Sequence, residues 1–362
     1  MFLNQISISG FKNISKAKIQ FSHKLNYITG VNGSGKTNLL DAVYYLSMTK
    51  SYFPIPDGQI INYAESNCHI AGEYNRDDQT KDIISFSYEK GGAKLFKRNS
   101  KPYQRLSDHI GVIPIVMVSP YDNCLINESG EERRKFINSI LSQLDPEYLR
   151  RIQNYNQLLQ QRNKLLKEDK ASKTLLETFT ERMSVNANYV YAKRDGFITQ
   201  LQPIVVKYYN KLSGNGETIS IEYRSDLSEN SLENLLRKNE EKDRVFKYTT
   251  CGIQRDDIVF NMNGYKFRNC GSQGQQKTFL IALKLAQFEI MKEIYGKLPI
   301  LLLDDVFDKL DMNRVGALLS MVSSDVFGQI FITDSNKVRV KEMLENIGGD
   351  YLQLDIKNGE VL

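Results

Sequence analysis

An α/β fold with mixed sheets and an inserted, largely helical second lobe is predicted by three features of the 362-residue sequence. Strand-like alternation fills both chain ends, and a glycine-rich turn stands between a strand and a helix near residue 30. Stretches rich in Leu, Gln, Lys, Arg and Glu occupy the middle, from about 130 to 212. Two lobes are expected rather than one core, because single hydrophobic cores stop growing well before this length.

The elements follow in order. Residues 2 to 9 and 17 to 21 alternate as sheet strands do, and Lys24 to Thr29 forms a third strand that runs into the turn. Leu39, Leu40, Val43, Tyr44 and Leu46 then recur at helical spacing, up to the proline-containing segment Phe53 to Gly58. Strands are expected at about 67 to 75, 82 to 89, 93 to 98 and 112 to 118. The helical block that follows is expected to break at Asp145-Pro146, around Asp169 to Lys173, and at Pro203. Sheet signals return from Ile219 to Tyr223 and from Phe246 to Phe267, with a hairpin turn at Asn263-Gly264. A helix from about Gln275 to Ile290 and a strand at 300 to 304 complete the pattern. The domains expected are residues 1–125 and 291–362 as one lobe, with 126–290 as the second.

Composition excludes several classes. The sequence is 41% hydrophobic and 25% charged, close to the globular average, so global disorder is set aside. The longest apolar runs, Ile110 to Val118 and Leu298 to Leu303, fall far short of the roughly 20 residues that cross a bilayer. No membrane partner and no export signal are read, and a cytoplasmic location is expected. Cys68, Cys124, Cys251 and Cys270 lack close-paired spacing, and three histidines form no cluster, so neither zinc nor a disulfide framework is indicated. A net charge of +5 permits a nucleic-acid partner without requiring one.

Gly30-Val31-Asn32-Gly33-Ser34-Gly35-Lys36-Thr37 fits G-x-x-x-x-G-K-[ST] in the strand-loop-helix setting that this phosphate-binding loop requires. Its glycines let successive N–H groups turn inward around phosphates, and the new helix adds its positive end. Gly30, Asn32, Gly33, Ser34, Gly35, Lys36, Thr37 and Asn38 are the expected ATP-binding residues. Lys36 would reach the β- and γ-phosphates and Thr37 would ligate Mg²⁺.

Ile300-Leu301-Leu302-Leu303-Asp304-Asp305 is an apolar run ending in two acids. Alone it reads as a buried strand with a solvated end. Beside a P-loop it is the strand that delivers a Mg²⁺-side carboxylate, Asp304, with Asp305 placed to polarise the attacking water. The long stretch between Lys36 and Asp304 implies a large insertion. Gly271-Ser272-Gln273-Gly274-Gln275-Gln276-Lys277 precedes a helix, and alone it is an ordinary N-terminal cap. After a P-loop and before an Asp-Asp strand, it is similar to the S-G-G-Q signature of ATP-binding-cassette heads, with Gln273 replacing the first glycine. That resemblance implies that Ser272, Gln273, Gly274 and Gln275 face the γ-phosphate held by a second head, making the homodimer ATP-dependent. Asp308 to Asp311 is similar to the D-loop. Thr333 or Asp334 stands where transporter heads carry a histidine.

Longer segments narrow the resemblance. Phe2 to Asn13, Gly30 to Ser47, Ser119-Pro120-Tyr121-Asp122 with Glu131 to Phe136, and Arg255-Asp256-Asp257 through Asn263-Gly264 to Gln276 resemble the RecF family of bacterial DNA replication and repair proteins, in the same order along nearly the whole chain. The resemblance implies a P-loop ATP-binding-cassette-type head and a weak, DNA-stimulated ATPase. It also implies ATP-driven dimerisation on gapped or junction DNA, and cooperation with RecR and RecO in loading recombinase. Ile253-Gln254 departs from the family's Pro-His, and Phe53-Pro54 from its basic residues. Two sets of bases are candidates for DNA contact: Lys94, Lys97, Arg98, Lys101 and Arg105 around a hairpin, and Arg133, Arg134, Lys135, Arg150 and Arg151 on helices. The alternative reading, a transporter's nucleotide-binding subunit, lacks both the switch histidine and a clear Gln-loop after residues 112 to 118. The middle segment is too short for a chromosome-organising coiled coil, and no second catalytic domain fits after Asp334.

Overall fold

A computed structural model describes all residues except 169–171, 215, 336–350, 358 and 362. The strands are β1 (Phe2–Phe11), β2 (Ile14–Gln20), β3 (Leu25–Thr29), β4 (Asn67–Asn75), β5 (Lys81–Glu89), β6 (Leu95–Arg98), β7 (Lys101–Pro102), β8 (Ile115–Val118), β9 (Ile219–Arg224), β10 (Asp257–Met262), β11 (Tyr265–Lys266), β12 (Ile300–Leu303), β13 (Ile330–Asp334), β14 (Tyr351–Lys357) and β15 (Glu360–Val361). The helices are α1 (Lys36–Met48), α2 (Cys124–Asn127), α3 (Gly130–Leu144), α4 (Pro146–Lys167), α5 (Lys173–Ser213), α6 (Leu232–Lys238), α7 (Glu240–Phe246), α8 (Phe267–Cys270), α9 (Gln273–Tyr295) and α10 (Met312–Val322).

The chain divides into two units. The first contains Met1–Asp122, Tyr208–Asn215 and Ser272–Leu362; the second contains Asn123–Lys207 and Gly216–Gly271. In the first unit an antiparallel sheet, β2-β1-β4-β5-β6-β7, accompanies a sheet of order β15-β14-β3-β13-β12-β8, whose strands from β14 to β8 pair in parallel. Apolar residues of both sheets and of α1 share one core, including Ile6, Ile8, Phe86, Ile28, Leu302 and Phe331. Helix α1 is buried on nearly every side, which is why its sequence lacks a polar face. Gln329, just before β13, pairs with both backbone groups of Leu3 on β1 at 2.8 Å, satisfying a strand that would otherwise bury unmade bonds.

The second unit holds the antiparallel sheet β11-β10-β9 and helices α3 and α4, with most of α5. Its helix starts were legible: Asp145 caps α4 and Pro146 occupies the first turn, where its missing N–H costs nothing. At its centre Arg194 pairs with Asp256 at 2.6 Å and donates to the Tyr148 hydroxyl at 3.1 Å.

Three expectations are corrected. Pro203 does not interrupt the helix, since α5 runs through it; burial of Phe197, Ile198, Leu201, Val205 and Tyr209 outweighs the roughly 3 kcal/mol that an internal proline costs. Residues 246 to 256 are not strand. They form the end of α7 and a turn, and β10 begins only at Asp257. The expected boundary at 290 falls at Gly271, so α9 groups with the first unit, because its apolar residues Phe279, Leu283 and Ala286 are buried where it packs on β8. Part of the break expected at Asp169 to Lys173 lies outside the described residues.

Candidate nucleotide site

Parallel pairing brings the carboxyl ends of β3, β13, β12 and β8 to one edge, with Thr29 opposite Asp334 and Leu303 opposite both Ile332 and Val118. Ligands of open α/β sheets bind at such an edge. The loop after β3 is Gly30 to Gly35. A Cβ on Gly30 would lie 2.4 Å from the Ile356 carbonyl, and Gly35 holds φ 115° as it opens α1, so neither position accepts a side chain without strain. No side chain caps α1, so its first N–H groups stay directed at the loop.

Lys36 is almost fully buried and its ammonium donates to the carbonyls of Gly30 at 2.7 Å and Val31 at 3.1 Å. Burial pulls its pKa below the usual lysine range, against the opposing charges of Asp305, Asp304 and Asp334. Thr37 and Asp304, 267 positions apart, meet: the threonine hydroxyl donates to both carboxylate oxygens, at 2.9 and 3.1 Å. Asp304 also accepts from Thr333 at 2.8 Å and from Ser119 at 3.4 Å. Burial raises its pKa, while the hydroxyl donors of Thr333, Thr37 and Ser119 work in the other direction. A hydroxyl beside a carboxylate is the hard-oxygen donor set that suits Mg²⁺, which takes few protein ligands and fills its octahedron with water and phosphate.

Asp305 follows with φ 47°, a left-handed conformation uncommon outside glycine. Its N–H donates to Thr333 Oγ1 at 2.9 Å, and its carbonyl accepts from Lys277 at 2.8 Å. Thr333 therefore links the two acids through one hydroxyl. Lys277 is held below the usual lysine range by burial, against the charges of Asp308 and Asp305.

The turn at Ser272 is exposed, with Gln273 exposed and Gly274 and Gln275 half-buried. Ser272 caps α9 in a reciprocal box, its side chain accepting from the Gln275 N–H at 3.2 Å while the Gln275 side chain accepts from the Ser272 N–H at 2.8 Å. Gly274 is close-packed: an added Cβ would meet Arg314 at 3.3 Å and the Lys309 carbonyl at 3.4 Å. The turn at Ser272 thus lies against Lys309 and Arg314 of its own chain.

Three residues near the site carried no assigned role in the sequence. Ser119 follows β8 and points its hydroxyl at Asp304; in the sequence it stood out only as part of the segment similar to the RecF family and as the place of a missing Gln-loop. Asp122, beside it, accepts from the Ser119 N–H at 2.8 Å and pairs with Lys284 of α9 at 2.9 Å, while Lys284 also donates to Tyr52 at 2.8 Å. Asn13 accepts from Asn38 at 2.8 Å and donates to the Gly33 carbonyl at 3.4 Å, bracing the loop from the β1–β2 turn.

Most of the bases suggested for DNA contact are engaged internally. Arg98 pairs with Asp82 at 2.9 Å and Lys94 with Asp57 at 2.7 Å. Arg133 pairs with Asp257 at 2.7 Å, Arg134 donates to the Asp256 carbonyl at 2.7 Å, and Lys135, Arg150 and Arg151 pair with Glu131, Glu132 or Glu147. Ile253 is buried, with its carbonyl accepting from Arg194, and Gln254 accepts from the Tyr155 hydroxyl and donates to the Cys251 carbonyl. The departure from the family's Pro-His is thereby absorbed structurally. No helix of the described residues is long and apolar enough to cross a membrane.

The family described as RecF/RecN/SMC N terminal domain matches residues 2–354. A DNA replication and repair protein RecF of Parabacteroides distasonis is 42% identical over 361 residues, covering 100% of this chain and 99% of the relative. The structure of the recombination mediator protein RecF with ATP, from the RecFOR pathway, superposes with a TM-score of 0.89 at 30% identity, covering 100% of this chain and 97% of that one. An Smc head of Pyrococcus furiosus, at 16% identity and a TM-score of 0.58, covers 100% of this chain and 96% of that one and shares the fold alone. The mixed sheets, the P-loop edge and the full-length similarity agree, and the chain belongs to the RecF family of DNA replication and repair proteins.

Proposed function

We propose that the protein binds ATP with Mg²⁺ at the β3–α1 loop, dimerises around two such nucleotides on gapped or junction DNA, hydrolyses ATP slowly, and acts with RecR and RecO in the cytoplasm to load recombinase. The observation that carries this reading is the meeting of Thr37 with Asp304, which assembles a P-loop and an acidic strand from opposite ends of the chain. The ATP complex of the RecF relative supports the same ligand. Family membership removes the basis for the transporter alternative.

In this reading Lys36 and the loop N–H groups hold the phosphates, and Thr37 and Asp304 hold Mg²⁺, which supplies positive charge against the oxygens of the phosphoryl group. Asp305 orients and polarises the attacking water. Ser272 to Gln275 close on the γ-phosphate of the other protomer. Asp305→Asn is expected to slow hydrolysis by about a hundredfold or more, the usual range for losing a general base, and to prolong the ATP-bound dimer. Undiminished single-turnover cleavage would remove Asp305 from the chemical step.

The outer face of the antiparallel sheet supports a duplex partner. Lys18, Ser7, Ala71, Ser85 and Lys97 stand opposite one another across five strands. At strand spacings of 4.7–4.9 Å, this row is a floor of small residues about 19 Å wide with a lysine at each side, close to the breadth of a nucleic-acid duplex. Lys16, exposed and two residues from Lys18 on β2, extends one rim. The experiment is ATP-dependent binding and hydrolysis on duplex, single-stranded and gapped DNA across a salt series. Joint Lys18→Gln and Lys97→Gln substitution is expected to weaken duplex binding and to reduce the salt slope by about one unit per lysine. No response to any DNA would overturn the DNA-binding reading.

A further inference from the structure

We propose that the turn Val245-Phe246-Lys247-Tyr248, in the second unit, is a stacking platform for single-stranded nucleic acid; the proposal rests on the DNA-binding reading above. Val245 is 77% exposed, Phe246 53% and Tyr248 38%. Apolar side chains on a loose loop would need no explanation, but this turn is held rigidly. Asp243, inside α7, accepts from Arg162 at 2.8 Å and from the Thr250 N–H and hydroxyl at 2.8 and 2.7 Å. Arg162 also donates to Thr249 at 2.6 Å, and Asn163 accepts from the Thr249 N–H and hydroxyl, each at 2.8 Å. The Arg162–Asp243 pair is fully buried, so the stem is fixed from both sides. Lys247, at φ 59°, turns the chain at the tip. The rings of Phe246 and Tyr248 stand side by side with centroids 5.9 Å apart, and the Arg255 guanidinium lies 5.4 Å from the Tyr248 ring.

Charge favours a polyanion. Of the three acids of α7, Asp243 is neutralised by Arg162 and Glu240 is paired with Arg244 at 3.0 Å. Lys242, Lys247 and Arg255 are exposed, Lys247 lies between the two rings in the chain and Arg255 lies over the Tyr248 ring, against the single exposed acid Glu241 of α7. Size favours a nucleic-acid strand over a protein. Three apolar side chains cover only a fraction of the roughly 800 Å² per partner that a stable protein interface buries. A base stacks on a single ring and its phosphate needs a single neighbouring cation. Duplex bases are already stacked on each other, so the platform selects unpaired nucleotides.

The chain contains no tryptophan, so Phe246→Trp places a single tryptophan on the platform, whose emission is excited apart from that of the tyrosines. Titration with an oligothymidylate, with and without ATP, is expected to quench it. Joint Phe246→Ala and Tyr248→Ala substitution is expected to weaken oligothymidylate binding by about tenfold or more while leaving duplex affinity and melting temperature unchanged. Lys247→Gln is expected to reduce the single-strand salt slope by about 0.7. Unchanged fluorescence at saturation, unchanged oligothymidylate affinity of the double variant, or an equal loss on duplex would each overturn the platform. So would loss of RecR or RecO binding with oligothymidylate binding intact. Wild-type protein that bound neither duplex nor single strand would defeat the DNA-binding reading itself; duplex binding with an inert turn would defeat the platform alone.

Discussion

Lys36→Ala is expected to lower ATP affinity by about two orders of magnitude or more, since truncating one partner of a buried charge pair costs about 2–5 kcal/mol. The ammonium is buried and already held at the loop carbonyls, so little ordering remains to be done when a phosphate arrives. Its loss removes the positive charge that offsets the acids Asp304, Asp305 and Asp334. Those acids would then repel the nucleotide. Lys36→Met retains the packing of the aliphatic stem and should give the same loss, which separates charge from cavity formation. Equilibrium titration with a labelled ATP measures the effect. Wild-type affinity in both variants would show that the loop does not carry the binding.

Ser272→Arg and Ser272→Asp are expected to abolish ATP-induced dimerisation while monomer affinity for ATP stays within about twofold of wild type, near the noise of a surface substitution. The turn is exposed and lies at the start of α9, away from its own chain's Lys36 and Thr37 in sequence and set against Lys309 and Arg314 through Gly274. Arginine fills the space a partner's phosphate would enter, but it also breaks the cap, at a cost of about 1 kcal/mol. Aspartate accepts from the Gln275 N–H as serine does, so α9 stays capped, yet it presents a negative charge to an anion. Agreement between the two variants would therefore exclude helix fraying as the cause. Sedimentation velocity with and without ATP reads the outcome. An unchanged ATP-induced shift in the aspartate variant would remove the shared nucleotide.

Legibility in the sequence followed the range of the interaction. The loop from Gly30 to Thr37 requires glycine where the backbone turns tightly, so its spacing survives in the sequence. The same holds for the acids that end β12, for the cap at Ser272 and for Asp145-Pro146 at the start of α4. Each is decided within about one turn of chain. The Ser119 hydroxyl gave no such signal, since a serine before proline is an ordinary way to leave a strand. Its role depends on β8 lying next to β12 in parallel register. The bases were ambiguous for a similar reason: Arg133 reads as free along its helix and is paired with Asp257, 124 positions away.

By itself, then, the sequence determined the family, the glycine-rich loop between β3 and α1 and the order of the segments that follow it, because these rest on local backbone geometry and on side chains whose spacing is rigid. Tertiary structure alone decided that Ser119 and Thr333 join Thr37 at Asp304, that α5 passes through Pro203, that α9 belongs with the sheets, and which of the candidate bases are ion-paired. Those outcomes are set by burial and by partners distant along the chain, where packing free energy exceeds any local preference.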